Sequence, residues 1–168
     1  MIACFDVHYL RDTAVAAAVV FTDWQSESPL SEYTAIVNGV TEYEPGRFYL
    51  RELHPLSAVI AKIAEPIEVY LIDAYCHLSP DFAPGLGAHL HESLDPSAKI
   101  VGVAKSRYHD SAHAVELLRG QSNRPLFVTS IGLDYDLAAR HVASMAGPYR
   151  IPTLIRAADH LCRHHSVN

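Results

Sequence analysis

Three carboxylate residues lie at positions that suggest chemistry. Two are on apolar runs, where a charge is costly, and one is beside a helical pattern that could hold it rigidly near a ligand. Asp6 interrupts the first apolar run of the chain, and Asp73 ends a later apolar run. Glu52 lies just before a helical pattern. An ionised carboxylate on a buried strand is strongly unfavourable unless it is paired or bound to a metal. Asp6, Glu52 and Asp73 are hard oxygen ligands of the kind that Mg²⁺ and Mn²⁺ prefer, so together they predict a divalent metal site.

Each of these residues also has an explanation that needs no metal. Asp6 could lie on the solvent face of its strand, since polar side chains usually point outward. Glu52 could be a carboxylate favoured by the N-terminus of a helix. Lys105 ends the apolar run Ile100 to Ala104, where it could orient a water or neutralise a phosphate, or simply be a surface lysine. Spacing alone leaves these alternatives open.

The elements that would position these residues follow from the hydrophobic pattern. Ile2 to Tyr9, Thr13 to Phe21 and Tyr33 to Val37 are rich in β-forming residues and predict a three-stranded antiparallel meander. Leu53 to Ala64 repeats apolar residues at helical spacing and predicts a helix. Ile67 to Ile72 predicts a buried strand beside the first one. Asp6 and Asp73 would therefore come from neighbouring strands.

The second half of the chain predicts further strands and helices around this sheet. The expected segments are a helix at Leu86 to Leu94, a buried strand at Ile100 to Ala104, a peripheral strand pair at Ala114 to Leu118 and Pro125 to Thr129, and helices at Tyr135 to Ala146 and Pro152 to Cys162. This order predicts an α/β fold with a ribonuclease H-like mixed β-sheet flanked by helices. We expect a single domain over residues 1–168.

Composition limits the classes of function. The chain has 168 residues and a formal net charge of −6, which counts against a broad phosphate-binding surface. A metal-dependent nuclease, however, keeps acidic residues to hold its cations. No signal segment or membrane span is evident, so we expect a cytoplasmic protein without membrane contact. The sequence leaves the oligomeric state open and favours a monomer. The three cysteines predict reduced packing residues.

Three stretches in one order resemble the signatures of the endonuclease V family. They are Pro45-Gly46-Arg47-Phe48-Tyr49-Leu50-Arg51-Glu52, Gly85-Leu86-Gly87-Ala88-His89-Leu90 and Gly102-Val103-Ala104-Lys105. Asp6 with Tyr9 three residues later, Asp73 at a strand end, and Tyr149-Arg150-Ile151-Pro152 are also similar to the family. The resemblance covers nearly the whole chain.

The resemblance implies a ribonuclease H-like nuclease that recognises hypoxanthine, as inosine or deoxyinosine, in DNA or RNA. Members hydrolyse the second phosphodiester bond on the 3′ side of that base, using Mg²⁺ or Mn²⁺. By position, Asp6, Glu52 and Asp73 match the metal-binding carboxylates, and Lys105 matches the catalytic lysine. Asp159 falls where relatives have histidine or aspartate, which makes it a further metal-ligand candidate.

The same resemblance implies residues that recognise the base. Tyr43 matches the aromatic wedge that fills the gap left by an extruded base, and Gly46 and Phe48 match the wall of the base pocket. An aromatic ring and a closely approaching backbone suit these roles. Gly85 and His89 are further substrate-binding candidates, His89 as a contact to a phosphate or to a metal-binding residue.

Departures from the family pattern leave the base preference open. Ala74 stands where most relatives have glycine, Ser79 where a histidine begins a His-Pro-Arg run, and Leu133 in place of another histidine. Glu42 and Glu44 add negative charge beside the expected wedge. The alternatives are a structure-directed nuclease without inosine preference, and a noncatalytic binder of modified nucleic acid. The retained carboxylates count against the second alternative.

Overall fold

The apolar N-terminal segments form a hairpin that becomes part of the middle of a sheet. The computed structural model of the protein describes residues 1–39, 48–109 and 111–164, apart from the side chain of residue 48. Strand β1 (Ile2–Leu10) pairs antiparallel with β2 (Thr13–Phe21). All but the first side chain of β2 are buried, because this strand of small and branched residues lies between two neighbouring strands.

In the described part of the chain, seven strands form one mixed sheet. The others are β3 (Ser31–Asn38), β4 (Val69–Ile72), β5 (Lys99–Ala104), β6 (Val115–Leu117) and β7 (Leu126–Ile131). Their order across the sheet is β3-β2-β1-β4-β5-β7-β6. Strands β1, β4 and β5 are parallel, and the other neighbouring pairs are antiparallel. The predicted meander and the strand beside the first one are confirmed.

Helices cover both faces of this sheet. Helices α1 (Phe48–Ile60) and α2 (Leu86–Glu92) pack on one face, and α3 (Tyr135–Ser144) and α4 (Thr153–His164) on the other. Successive side chains of a strand point to opposite faces, so Phe5 packs toward α1 and α2, whereas Cys4 packs toward α3 and α4. The predicted α/β, ribonuclease H-like mixed sheet flanked by helices is confirmed.

The first helix begins earlier than predicted, which changes the surroundings of Glu52. The sequence pattern predicts a helix from Leu53 to Ala64, but α1 spans Phe48–Ile60. The apolar face that packs on the sheet already includes Tyr49, one turn before Leu53. Glu52 therefore lies in the second turn, with 7% of its surface exposed. The alternative that Glu52 is a solvent-exposed carboxylate at the N-terminus of a helix therefore does not hold.

One strand of the predicted peripheral pair is not peripheral. The predicted pairing of the two segments is confirmed, because β6 and β7 are antiparallel neighbours. Strand β7 also pairs with β5, however, so it lies inside the sheet and only β6 lies at that edge. The cause is burial on both faces, since Val128 packs against α3 and α4 and Phe127 packs on the opposite side. The remaining predicted helices agree with the structure within two residues.

The three cysteines are packing residues of the core. Cys4, Cys76 and Cys162 are buried and are not joined by disulfide bonds, as predicted. None of the helices in the described ranges has the length and apolar character needed to cross a membrane.

Candidate active site

The parallel pairing of β1 with β4 and of β4 with β5 ends at one edge of the sheet, and several predicted site residues lie there. The pairing of β1 with β4 ends at Phe5 and Ile72. Asp6 directly follows Phe5, and Asp73 directly follows Ile72, so the register brings these two aspartates side by side. Lys105 follows β5, the next parallel strand. Open α/β sheets commonly bind their ligands at this edge.

Asp6 is only partly exposed, and its surroundings disfavour its charge. Its Oδ1 accepts a hydrogen bond from the Val7 backbone N–H at 2.9 Å. Burial, a hydrogen bond shared with the Asp159 carboxyl and the charge of Asp73 raise the pKa of Asp6 to about 7, against the effects of Val7 and Lys105. A cation placed beside Asp6 would favour its ionised form.

Glu52 is held by a tyrosine from the first strand. The Tyr9 hydroxyl donates to Glu52 Oε1 at 2.8 Å and also lies 3.1 Å from the Arg51 carbonyl oxygen. In a helix that carbonyl would accept from the N–H four residues later, but this residue is Pro55, which has none. Burial raises the pKa of Glu52 to about 7, aided by Asp6 and Asp73 and opposed by the Tyr9 hydrogen bond.

Asp73 and Lys105 form an ion pair between the ends of β4 and β5. Lys105 Nζ donates to Asp73 Oδ2 at 2.5 Å. Burial alone would lower the pKa of Lys105, but the nearby carboxylates of Asp73, Asp6 and Asp159 raise it above its ordinary value. The lysine is therefore charged at neutral pH. It is suited to neutralising an anion, and it is a poor general base.

Asp159 reaches the same edge from α4, on the other face of the sheet. Arg163, one turn further along the helix, donates from Nε to Asp159 Oδ1 at 2.7 Å. Burial opposes its charge, but the hydrogen bonds with Arg163 and Asp6 lower the pKa of Asp159. In this pair of carboxyl groups, Asp6 is thus the one that retains a proton longer as the pH rises.

These residues suit a divalent cation in chemical type, but their side chains are not placed around a common point. Asp6, Glu52, Asp73 and Asp159 present carboxylate oxygens, and the charges of Asp6 and Asp73 oppose ionisation of their neighbours, a repulsion that a cation would relieve. Among the described residues, no three acidic, histidine or cysteine side chains are gathered closely enough to hold a metal ion as they stand. Asp73 is turned toward Lys105 and Glu52 toward Tyr9. Side-chain rotation would have to bring them onto an ion.

A cavity of about 530 Å³ opens beside this edge, and Asp73 and Lys105 are part of its wall. Tyr49 of α1 and the loops that follow β4 and β5 form other parts of the wall. Gly85 also lines the cavity. A Cβ at this position would lie 2.6 Å from the Tyr75 carbonyl oxygen. The close approach of two backbone segments thus accounts for this glycine, and it shapes the cavity.

Of the other predicted substrate-binding residues, His89 does not line the cavity, and the rest are not among the described residues or side chains. His89 stacks on Tyr49, with 3.8 Å between the ring centroids, and supports the wall from behind. Its role as a substrate contact stays a prediction. Tyr43, Gly46 and the side chain of Phe48 lie outside the described residues, so the wedge and this part of the base pocket also stay predictions.

Two supporting residues were not predicted to have structural roles at the site. Tyr75 holds two loops together, because its hydroxyl donates to the Ser106 carbonyl at 2.9 Å and accepts from the Tyr108 N–H at 3.2 Å. Arg150 Nη2 donates to the Lys105 carbonyl at 2.5 Å and to the Pro125 carbonyl at 2.8 Å, which ties the end of β5 to the start of β7. Neither role has a local sequence signal, since each depends on the packing of distant segments.

Tyr9 had a weak signal in the sequence. It follows Asp6 by three residues and therefore points to the opposite face of the sheet, toward the helix that carries Glu52. A proline inside a helical pattern leaves a carbonyl without a donor, which marks a place where a side chain can supply one. These two facts together could have suggested the contact.

Comparison with known proteins identifies the family. The endonuclease V family model matches residues 1–160. Endonuclease V of Streptomyces avermitilis is 33% identical over 174 aligned positions, which cover 91% of this chain and 74% of the relative. Endonuclease V of Streptomyces coelicolor is 30% identical, with 91% and 72% covered.

Solved structures agree with this assignment. The crystal structure of the Streptomyces avermitilis protein matches with a TM-score of 0.75 and 26% identity, over 96% of this chain and 79% of that one. Ciona intestinalis endonuclease V, in complex with a 24mer DNA containing an inosine followed by a ribo-adenosine, shares the fold with a TM-score of 0.77 and 20% identity, over 96% and 84% of the two chains. On the evidence of sequence and fold together, the chain belongs to the endonuclease V family.

Proposed function

We propose that the protein is a divalent-metal-dependent endonuclease that hydrolyses a phosphodiester bond on the 3′ side of inosine or deoxyinosine in a nucleic-acid strand. The observation that carries this proposal is the position of Asp6, Asp73 and Lys105 at one sheet edge, with Glu52 near enough for Asp6 and Asp73 to raise its pKa, in a chain of the endonuclease V family. The solved relative from Ciona intestinalis, bound to inosine-containing DNA, supports nucleic acid as the partner.

The carboxylates would hold Mg²⁺ or Mn²⁺. Asp6, Glu52 and Asp73 are the proposed ligands, and Asp159 is a supporting ligand. A bound divalent cation supplies an acidic water for attack and neutralises charge on the phosphate. The chain's own contribution is to hold these carboxylates in a partly dry site, where their interaction with a cation is stronger than it would be in bulk water.

Lys105 has a separate proposed role. Its ammonium is charged, and its contact with Asp73 fixes its position at the wall of the cavity. A phosphate brought to this edge would meet that positive charge. We assign Lys105 to charge neutralisation during the cleavage step.

The cavity beside the carboxylates is the proposed place for the extruded base. Its volume of about 530 Å³ and its wall of Tyr49, Tyr75 and Gly85 suit a flat aromatic ligand. Tyr43 as the wedge, Gly46 and Phe48 as further pocket residues, and His89 as a substrate contact remain part of the proposal on the basis of sequence resemblance.

A second candidate keeps the chemistry and drops the base preference. Ala74, which replaces the glycine of most relatives, lines the cavity and adds a methyl group to it. A narrower or reshaped cavity would favour a structure-directed nuclease that does not distinguish inosine. A noncatalytic binder is the remaining alternative, and the retention of the carboxylates counts against it.

One assay separates these functions. Purified protein is incubated with Mg²⁺ or Mn²⁺ and end-labelled strands that differ only in carrying inosine or adenosine, as DNA and as RNA. Cutting of the inosine strand alone supports the proposal, and equal cutting of both strands supports the second candidate. Binding without cutting supports the noncatalytic binder. Asp73→Ala is the control, and an Asp73→Ala protein that cuts as fast as the wild type would refute the metal assignment.

A further inference from the structure

Phe82 is an exposed aromatic residue in a backbone conformation that such residues rarely adopt. Its side chain is 64% exposed, and its φ of 59° lies in the left-handed region that favours glycine. Strained conformations of this kind persist only where the surrounding structure enforces them, and they cluster at ligand-binding sites. The ring therefore needs an explanation beyond the geometry of the turn.

Hydrogen bonds fix the turn that carries this ring. The Phe82 N–H donates to the Ser79 carbonyl at 3.0 Å, and the Leu78 N–H donates to the Ala83 carbonyl at 2.8 Å. His77 contacts the Phe82 ring edge-on, with 5.1 Å between the centroids. The ring is thus supported at one side and open to solvent over most of its surface, which is the form of a preorganised contact surface.

The turn forms part of the rim of the cavity at the candidate active site. Leu78 and Pro84, which flank Phe82 in the turn, line the cavity together with Asp73. Tyr108, which is 39% exposed, lines it from the loop after β5. A strand whose phosphate reaches Lys105 would pass exposed aromatic rings on its way into the cavity.

The positive charges of Lys105 and Arg107 at this rim are partly offset, because each is paired with a carboxylate. Asp81 is exposed beside Phe82. Lys105 is paired with Asp73, and Arg107 is paired with Glu116. With a net charge of −6 in the whole chain, binding has to draw more on contacts other than ion pairs with phosphates.

We propose that Phe82 stacks on an unpaired nucleobase of the substrate strand, adjacent to the base that enters the cavity. This inference rests on the proposed function and names its substrate class, which is a single-stranded or locally unpaired nucleic acid. Stacking on an aromatic ring contributes to binding whichever base is present, since every base has a flat aromatic face. Affinity for such a strand then depends less on salt than in a protein that binds mainly through phosphates.

The test compares binding by three variants at Phe82. The probe is a short fluorescein-labelled single strand with one deoxyinosine, bound in the presence of Ca²⁺ and checked on a gel to be uncut. Glycine tolerates a positive φ, so Phe82→Gly should match or exceed the thermal stability of the wild type while binding about 10-fold more weakly. Phe82→Ala should lose affinity similarly, and Phe82→Trp should keep it. Leu118→Ala, which removes another exposed side chain of 63% exposure, is the matched control and should bind normally.

Abasic positions in the probe identify the stacked base. Removing the stacked base should weaken binding by the wild type and have little further effect on Phe82→Gly, at one position next to the inosine. Unchanged affinity of Phe82→Gly, or an equal loss with every abasic probe in both proteins, overturns the stacking proposal. Cleavage is measured separately with Mg²⁺, so a wild type that binds the probe and never cuts it refutes the proposed function and leaves the stacking result intact.

Discussion

Lys105 Nζ lies 2.5 Å from Asp73 Oδ2, so the proposed catalytic lysine is paired with one of the proposed metal ligands. The two residues follow neighbouring parallel strands, which fixes their separation through the sheet rather than through a loop alone. In this arrangement the ammonium occupies one side of a carboxylate that a divalent cation would also use. A cation bound at Asp73 would share this carboxylate with the lysine, so removing either should change the binding of the other.

Replacement of Lys105 separates its role in cleavage from its effect on metal binding. We expect Lys105→Ala to lower kcat by about 100-fold or more, because a positive charge at the phosphate is lost. Mn²⁺ affinity should rise, because a competing positive charge at Asp73 is removed. Lys99→Ala, at the opposite end of the same strand, is the control and should leave both quantities unchanged. A Lys105→Ala protein with normal kcat contradicts the assigned role.

Tyr9 should control the metal affinity of Glu52. Tyr9→Phe removes the hydroxyl that donates to Glu52 at 2.8 Å and leaves the Arg51 carbonyl without this donor. Loss of such a supporting hydrogen bond typically weakens metal binding by about 10- to 100-fold. The measurement is the Mg²⁺ concentration that gives half-maximal cleavage.

A matched control for this change is available elsewhere in the chain. Tyr33 donates from its hydroxyl to Glu65 Oε2, also at 2.8 Å, away from the candidate site. Tyr33→Phe should leave the Mg²⁺ requirement unchanged. Equal Mg²⁺ requirements for Tyr9→Phe and the wild type would show that the hydroxyl does not organise the metal site.

The contribution of Glu52 to stability without metal should fall as the pH rises from acidic to neutral. The pKa of Glu52 is about 7 in the folded protein and has an ordinary value of 4.5. Between these values the folded chain binds more protons than the unfolded chain, so deprotonation costs stability across this window and the loss is complete above it. In EDTA at about pH 8, Glu52→Gln should therefore have a Tm roughly 2 to 8 °C above that of the wild type.

The same pair of proteins should converge at low pH. Below about pH 4.5 the wild-type carboxyl is protonated in both states, so the Tm difference disappears. Following the difference between the two proteins removes the contribution of the other titrating groups. A difference that does not depend on pH would mean that Glu52 titrates normally in the folded chain.

Gly102 should be needed to position the loop that carries Asp73. A Cβ at this position would lie 2.4 Å from the Ala74 carbonyl oxygen and 3.0 Å from the Cys76 backbone nitrogen. Gly102→Ala should cost about 1–3 kcal/mol of stability and also lower kcat, since Ala74 directly follows Asp73. Gly132→Ala is the control, because its positive φ of 75° makes it destabilising at the other end of the sheet. It should leave kcat per folded molecule unchanged.

Much of the fold followed from the alternation of apolar and polar residues. Asp6 and Asp73 stood out because each breaks or ends a buried strand, and parallel pairing of those strands then places them together. The predicted start of α1 is wrong because Tyr49 extends the apolar face one turn before Leu53, where the predicted helix begins. The interior position of β7 was missed because pairing between segments distant in sequence leaves little local signal.

The candidate site was less predictable than the sheet. The proposed ligands came from the burial of charge and from family resemblance, but their hydrogen-bond partners did not. Tyr9 contacts Glu52 across 43 residues of sequence, and Arg150 contacts Lys105 across 45. Such contacts depend on tertiary packing, which residue type and spacing do not encode locally. The left-handed backbone conformation of Phe82 likewise has no signal in the sequence and is evident only from its φ angle.

Direct binding of Mn²⁺ to the protein without nucleic acid, followed by electron paramagnetic resonance, tests the central claim that these carboxylates form one cation site. The wild type should bind Mn²⁺, and Asp6→Asn, Glu52→Gln and Asp73→Asn should each weaken binding by about 10-fold or more. Glu65→Gln, which changes a carboxylate outside the site, should bind as the wild type does. Equal binding by the wild type and all three site variants would mean that these carboxylates do not form the cation site.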